Sequence, residues 1–185
     1  MSTICVYCAS GPVAQEYLDL ATDLGAALAA AGHTLVSGGG NVSMMGAVAT
    51  AARAAGGRTI GIIPRALVDR EVADLAADEL VITDTMRQRK RMMDDRADAF
   101  ITMPGGIGTL EELFETWTAG YLGMHDKTVV LLDPDNFYAP LLDWLTDLSG
   151  RGFVSQTALD RLLIARSVPE AVALATGERP HTTDR

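Results

Sequence analysis

An α/β fold is what this 185-residue sequence predicts: a single-domain, three-layer sandwich with a mostly parallel sheet and helices on both faces. Three observations carry that prediction. Apolar runs of strand length alternate with longer Ala- and Leu-rich stretches of helical spacing. Several of the short runs are apolar throughout, as expected of strands covered on both faces. Glycine- and serine-containing turns follow three of the strands, at the carboxyl ends where open α/β sheets hold their ligands.

The first strand is expected at Thr3–Cys8, where TICVYC is β-branched and aromatic. Its Cys5 and Cys8 form a C-x-x-C, but a reactive pair belongs at a helix N-terminus, and an extended run sends the two side chains to opposite faces. They are read as buried thiols. A helix follows at 14–31, then a strand at Thr34–Ser37 and a helix at 43–55. The turn between the last two, SGGGNVSMMG, is neither a dinucleotide fingerprint nor a P-loop. Gly38, Gly39 and Gly40 are read as room for a ligand phosphate or sugar to approach the backbone. Strands at Thr59–Ile63 and Leu80–Thr83 bracket a segment holding Glu71, whose default reading is surface decoration.

The helix at 86–97 is more informative. Met86, Arg89, Lys90 and Met93 stand at i, i+3, i+4 and i+7, the spacing of one face. Two cations thus occupy positions that a buried stripe would give to apolar residues. Burying unpaired charge is costly, so this face is expected to meet an anion, with phosphate the obvious partner for Arg and Lys. A strand at Ala99–Met103, a helix at 109–122, a strand at Thr128–Leu132, a helix at 138–148, a strand at Leu162–Ala165 and a helix at 169–175 complete a Rossmann-like alternation. The domain is expected to span residues 1–176, with 177–185 a polar, disordered tail.

A formal net charge of −9 argues against non-specific nucleic-acid binding, which needs basic surface. No apolar run approaches the roughly 20 residues of a membrane span, and no signal-peptide pattern opens the chain, so a cytoplasmic location is expected. His33, His125 and His181 share no metal-ligand spacing, and no metal or organic cofactor is expected.

PGGIGTLEE, from Pro104 to Glu112, sits between a strand and a helix. Such a turn presents bare N–H groups at a helix N-terminus, a natural anion site. Thr109-x-x-Glu112 also fits a capping box, and acids in a first turn suit the helix dipole. The apolar stripe Leu110, Leu113, Phe114, Trp117 and Tyr121 would leave Glu112 on the opposite side. Spacing alone leaves Glu112 open between a capping role and a chemical one.

PGGIGTLEE together with Met86, Arg89 and Lys90 of MRQRK and the glycine turn before Gly46 resembles the LOG ("Lonely Guy") family. These are cytokinin riboside 5′-monophosphate phosphoribohydrolases, historically labelled lysine decarboxylases. The family signature P-G-G-x-G-T-x-x-E is matched in full, and so is its companion M-x-x-R-K. The similarity runs from CVYCAS to about Pro169; the first loop departs from it, reading CASG where many members have C-G-S-S. The resemblance implies a homodimer that splits the N-glycosidic bond of a nucleoside 5′-monophosphate, AMP included, releasing base and ribose 5-phosphate. It implies Arg89 and Glu112 as the catalytic pair. Glu71, Lys90, Gly105, Gly106, Ile107, Gly108, Thr109, Leu110, Glu111 and Thr118 would be substrate contacts. Met44, Met45 and the 86–93 helix are further expected to offer a partner copy apolar surface. A PLP-type decarboxylase would need a Schiff-base lysine, and the chain has only Lys90, in the basic motif, and Lys127, in a polar turn. The rival reading is a non-catalytic nucleotide or molybdenum-cofactor carrier of the same fold, which has no chemical need for the Arg89–Glu112 pair.

Overall fold

The computed structural model describes residues 1–177, so the expected polar tail lies outside the described residues apart from Gly177. The strands are β1 (Thr3–Tyr7), β2 (Thr34–Ser37), β3 (Thr59–Pro64), β4 (Glu79–Thr83), β5 (Ala99–Thr102), β6 (Thr128–Leu132) and β7 (Leu162–Ala165). The helices are α1 (Gln15–Ala30), α2 (Ser43–Ala54), α3 (Met86–Arg96), α4 (Ile107–Tyr121), α5 (Ala139–Gly150), α6 (Gln156–Leu159) and α7 (Val168–Thr176). Every expected strand and helix is present: β2, β6 and β7 have the expected ends, and the others are shifted at one or both. The additions are a 3-10 turn at Arg65–Leu67 and α6, both too short to show a period in the sequence.

All strand pairs are parallel, in the order β4-β3-β2-β1-β5-β6-β7. Alternate side chains separate the two cores, as a two-residue period requires. Ile4, Val6, Leu35, Ile101, Val130 and Leu132 face α1, α2 and α7. Cys5, Tyr7, Val36, Phe100, Val129 and Leu131 face α3, α4 and α5. Cys5 and Cys8 are free, buried and on opposite faces, with Cys8 one residue past the strand expected to hold it.

Two expectations change. Met44 and Met45 are 0% and 4% exposed, packed under α2 against the sheet, so they offer no surface to a partner. Among the described residues the complete capping box belongs to α3, not α4. Thr85 accepts from the Gln88 N–H at 3.2 Å, and the Gln88 side chain accepts from the Thr85 N–H at 3.2 Å. This box fixes the start of the helix that carries Arg89.

The strand order reverses between β1, which continues to β2 on one side, and β5, which lies on its other side. That switch point leaves a crevice between the loops after β1 and β5, where α/β sheets bind ligands. No helix among the described residues is long and apolar enough to cross a membrane.

Candidate functional site

A cavity of about 450 Å³ opens over this switch point, within the range of small-molecule sites. Its walls come from the carboxyl ends of successive strands: Cys8–Val13 after β1, Gly38 after β2, Leu67 and Glu71 after β3, Pro104–Gly106 after β5 and Phe137 after β6. Met86 and Arg89 of α3, with Glu111 and Glu112 of α4, close it. Among the described residues no cluster of His, Cys, Asp and Glu could hold a metal ion.

The start of α4 forms one end. The helix begins at Ile107 with Gly106 as an extended N-cap that has no capping side chain. The expected Thr109–Glu112 capping box is therefore absent: Thr109 is the third helical residue and buried, and Glu112 the sixth. Thr109 packs under Gly105, where a Cβ would fall 2.2 Å from its hydroxyl oxygen. Gly106 and Gly108 face open space, since a Cβ on either would meet nothing within 4 Å. The first-turn N–H groups have no intrahelical acceptors and lie at the positive end of the helix dipole, so this end of the cavity is built for an anion.

Glu112 is not opposite the buried face of α4. The buried positions are Thr109, Leu113, Thr116, Trp117 and Gly120, while Leu110 and Phe114 are only partly buried and Tyr121 is exposed. Glu112 stands one turn from both Thr109 and Thr116, at the edge of that face and in the cavity wall. Burial pushes its carboxyl up from the usual 4.5 to about 7; Arg89 pulls it down, while Glu111 and Glu71 push it further up. It accepts no hydrogen bond from the described residues that would offset its desolvation. A carboxylate so placed titrates near neutrality.

Arg89 is 5% exposed, and its partners are protein groups where the sequence predicts a ligand anion. Its Nε donates to the Ile62 carbonyl at 3.1 Å and one terminal nitrogen donates to the Gly38 carbonyl at 3.0 Å. That nitrogen also lies 3.6 Å from Oε2 of Glu71, an oxygen that is buried and has no hydrogen-bond partner. Arg89 and Glu71 therefore form a fixed, buried pair in the cavity wall, with one carboxylate oxygen left without a hydrogen-bond partner.

The triple glycine has a different cause from the one expected. A Cβ on Gly38 would lie 1.8 Å from the Arg89 guanidinium. Gly39 has φ +74° and sits on the Gly61–Ile62 backbone, and Gly40 sits against Met45 and Glu71. Only Gly38 of the three lines the cavity. The glycines make room for protein packing around Arg89, not for ligand along the whole turn.

Lys90 also departs from its expected role. Its ammonium bridges Glu111 and Glu115 across from α3 to α4 and does not line the cavity. Partial burial works against its charge, but those two carboxylates outweigh it and hold its pKa above the ordinary value. Leu110 is outside the cavity too. Thr118 is exposed and lines a separate groove with Arg87, Arg91, Phe114 and Leu122. Sequence reading missed Leu67, Tyr17 and Phe137, which line the cavity. The strand-end rule points to Phe137, just past β6, and the aromatic pair it forms with Tyr17 (5.9 Å, edge-on) needs the fold to be seen.

Comparison with known proteins follows the same lines. Residues 45–175 match a family model described as possible lysine decarboxylase. Neither lysine lines the cavity: Lys127 donates to the Asp94 carbonyl, and Lys90 is held by its two carboxylates. The chain is 56% identical to a cytokinin riboside 5′-monophosphate phosphoribohydrolase of Mycobacterium marinum, over 92% of this chain and 91% of that one. It is equally identical, with the same coverage, to the protein of that name from Mycobacterium tuberculosis. An Arabidopsis thaliana protein of that name is 42% identical over 91% of this chain and 79% of its own length. Among solved structures, the molybdenum cofactor binding protein of Rippkaea orientalis aligns with a TM-score of 0.73 and 26% identity, over 95% and 96% of the two chains.

Proposed function

The chain belongs to the LOG family of phosphoribohydrolases, and from that premise we propose that it hydrolyses the N-glycosidic bond of adenine nucleoside 5′-monophosphates in the cytoplasm, yielding free base and ribose 5-phosphate. The observation that carries this reading is the desolvated Glu112 carboxyl facing Arg89 and Glu71 beside an anion-binding helix start.

The phosphate sits on the first-turn amides of α4, at Gly106, Ile107 and Gly108. Binding energy at this remote group positions the reacting carbon. Glu71, in the cavity wall, accepts from a ribose hydroxyl through its carboxylate, with Arg89 holding it in place. Cleavage builds positive charge on the ribose as the base departs, and a carboxylate can meet that charge or activate water. Glu112, ionising near neutrality, serves as the base for the attacking water, and its negative charge stabilises the sugar cation. The net change adds the hydroxyl of water to C1′ and its hydrogen to the base.

The solved molybdenum-cofactor binding protein shares the fold, and fold alone does not decide function. A carrier has no use for a carboxylate held at such a cost in solvation. Incubation of the purified protein with AMP and with N6-isopentenyl AMP, followed by chromatography, is expected to release free base from at least one of them. Tight binding of both without release would favour the carrier reading.

We further propose a homodimer. The family resemblance implies it, and Thr118, which lies outside its own chain's cavity, would then make its implied substrate contact in the cavity of a partner copy. Sedimentation at micromolar concentration is expected to show a dimer; a stable, fully active monomer would overturn this.

A further inference from the structure

The turn that leads into the amide cradle has a support outside the cavity. Pro104, Gly105 and Gly106 carry the chain from β5 into α4 without a capping side chain, so whatever holds this turn also aims the amides that follow it. Just past β5, the Met103 N–H donates to the Tyr7 carbonyl at 2.9 Å and extends the pairing with β1 by one residue. The Met103 carbonyl accepts from the Tyr138 hydroxyl at 2.9 Å, in a buried setting. The backbone of Gly105 also hydrogen-bonds this phenol oxygen, which partly offsets the burial that pushes its pKa up. Among the described residues no other side chain hydrogen-bonds the segment from Met103 to Gly106.

Tyr138 is itself anchored on its far side. It is 3% exposed and immediately precedes α5, and its N–H donates to the Asp133 carboxylate at 3.3 Å. Asp133, just past β6, is fully buried, where a carboxylate needs a counter-charge. One terminal nitrogen of Arg166, just past β7, supplies it. That nitrogen donates to the Asp133 carboxylate at 3.1 Å, to the Asp133 carbonyl at 2.8 Å and to the Asn136 side-chain oxygen at 2.9 Å. A chain of polar contacts thus runs from the ends of β7 and β6 to the turn after β5. Tyr138 does not line the cavity, although its neighbour Phe137 does.

We propose that Tyr138 is a positioning residue for the anion cradle: its hydroxyl holds the Met103–Gly106 turn at the setting in which the first-turn amides of α4 meet the 5′-phosphate, and Asp133 and Arg166 hold Tyr138 in place. This rests on the placement of the phosphate given above. Amide donors act together on one anion only when their directions agree, because a hydrogen bond weakens steeply as its angle closes. Gly105 and Gly106 lend the turn little stiffness of their own. A hydroxyl fixed to the carbonyl at its start supplies that stiffness, and the gain is pre-organisation without contact. The phosphate keeps its charge while the glycosidic bond breaks, so loosening its seat weakens ground and transition states alike. The signature is a raised KM with kcat unchanged.

Tyr138→Phe removes the hydroxyl and keeps the buried ring. Two constants are read: the KM of AMP or N6-isopentenyl AMP, whichever is turned over faster, and the calorimetric Kd of ribose 5-phosphate. Both are expected to rise about three- to tenfold, the worth of one or two hydrogen bonds, with kcat as in wild type. A merely structural role reads differently, since a smaller folded fraction lowers kcat and leaves the KM of the remaining molecules unchanged. Arg166→Lys keeps a cation beside Asp133 but cannot match the guanidinium's reach, and should raise the same two constants about two- to threefold. Wild-type constants in a Tyr138→Phe variant shown to be folded by circular dichroism overturn the assignment. Should that variant not fold, wild-type constants in Arg166→Lys overturn it. If wild type releases no base from either nucleotide, the hydrolase reading fails instead, and the Kd values of AMP and ribose 5-phosphate judge Tyr138 by the same criterion. A wild type that binds neither of them overturns the proposal outright.

Discussion

Glu112→Gln is expected to lower turnover by roughly a hundredfold or more, as loss of a charged transition-state partner typically does, while the protein becomes more stable above neutral pH. Both effects have one origin. The side chain is kept in a site that resists its ionisation, and its carboxyl titrates at about 7 because burial outweighs the pull of Arg89. In the unfolded chain the same group ionises at its ordinary value. Between that value and about 7 the native state binds more protons, so stability falls as pH rises, and above 7 the loss is complete. Glutamine has no proton to lose. After allowance for partial exposure, the variant should exceed wild type at pH 8 by about 1–3 kcal/mol, and the difference should close by pH 4. Melting temperatures of both proteins at the two pH values check this, and equal shifts would remove the case for a desolvated carboxylate. The same titration predicts that wild-type kcat/KM rises with pH through a limb centred near 7, absent in the variant's residual activity. Near-normal base release by Glu112→Gln would leave the mechanism without its base. No capping role remains to explain a milder outcome, because α4 starts at Ile107 and Glu112 lies beyond its first turn.

That point also shows where sequence reading reaches its limit. Strands such as Thr34–Ser37 and Thr128–Leu132 were legible because parallel strands buried on both faces are unbroken apolar runs. Arg89 was legible because a cation on an apolar stripe is an anomaly that needs a partner. The identity of that partner was not legible. Ile62 and Gly38, which accept from it, are distant in sequence and arrive through the β2–β3 pairing. Glu112 was misplaced by the helix start. Threonine followed three residues later by glutamate is a local pattern, but the extended backbone at Gly106 begins the helix two residues before Thr109. Lys90 shared its helix face with Arg89, yet one residue of rotation turned it toward Glu111 and Glu115 on a neighbouring helix, a contact only tertiary packing can reveal.

Arg89→Ala should be the most damaging single change, because this residue is structural and chemical at once. The substitution strands the carbonyls of Ile62 and Gly38 in a buried setting, and each unsatisfied acceptor costs about 1–3 kcal/mol. It also leaves Glu71 without its counter-charge. A drop of several degrees in melting temperature is therefore expected beside a loss of at least about a hundredfold in turnover. A third consequence separates the chemical role from simple unfolding. Arg89 is the largest influence lowering the Glu112 carboxyl, so its removal should push that group further up and move the ascending limb of any residual activity to higher pH. Arg89→Lys keeps the charge but cannot serve two carbonyls and Glu71 with one compact ammonium, so it should restore the pH limb more than the stability. Gly38→Ala tests the same geometry from the other side, since its methyl would fall 1.8 Å from the guanidinium and must displace it. That variant should lose activity in parallel with Arg89→Ala even though no charge is removed. Circular dichroism, melting and turnover measured on one preparation of each variant decide the matter. Wild-type activity in a folded Arg89→Ala would mean that the cavity's charged centre takes no part in the reaction.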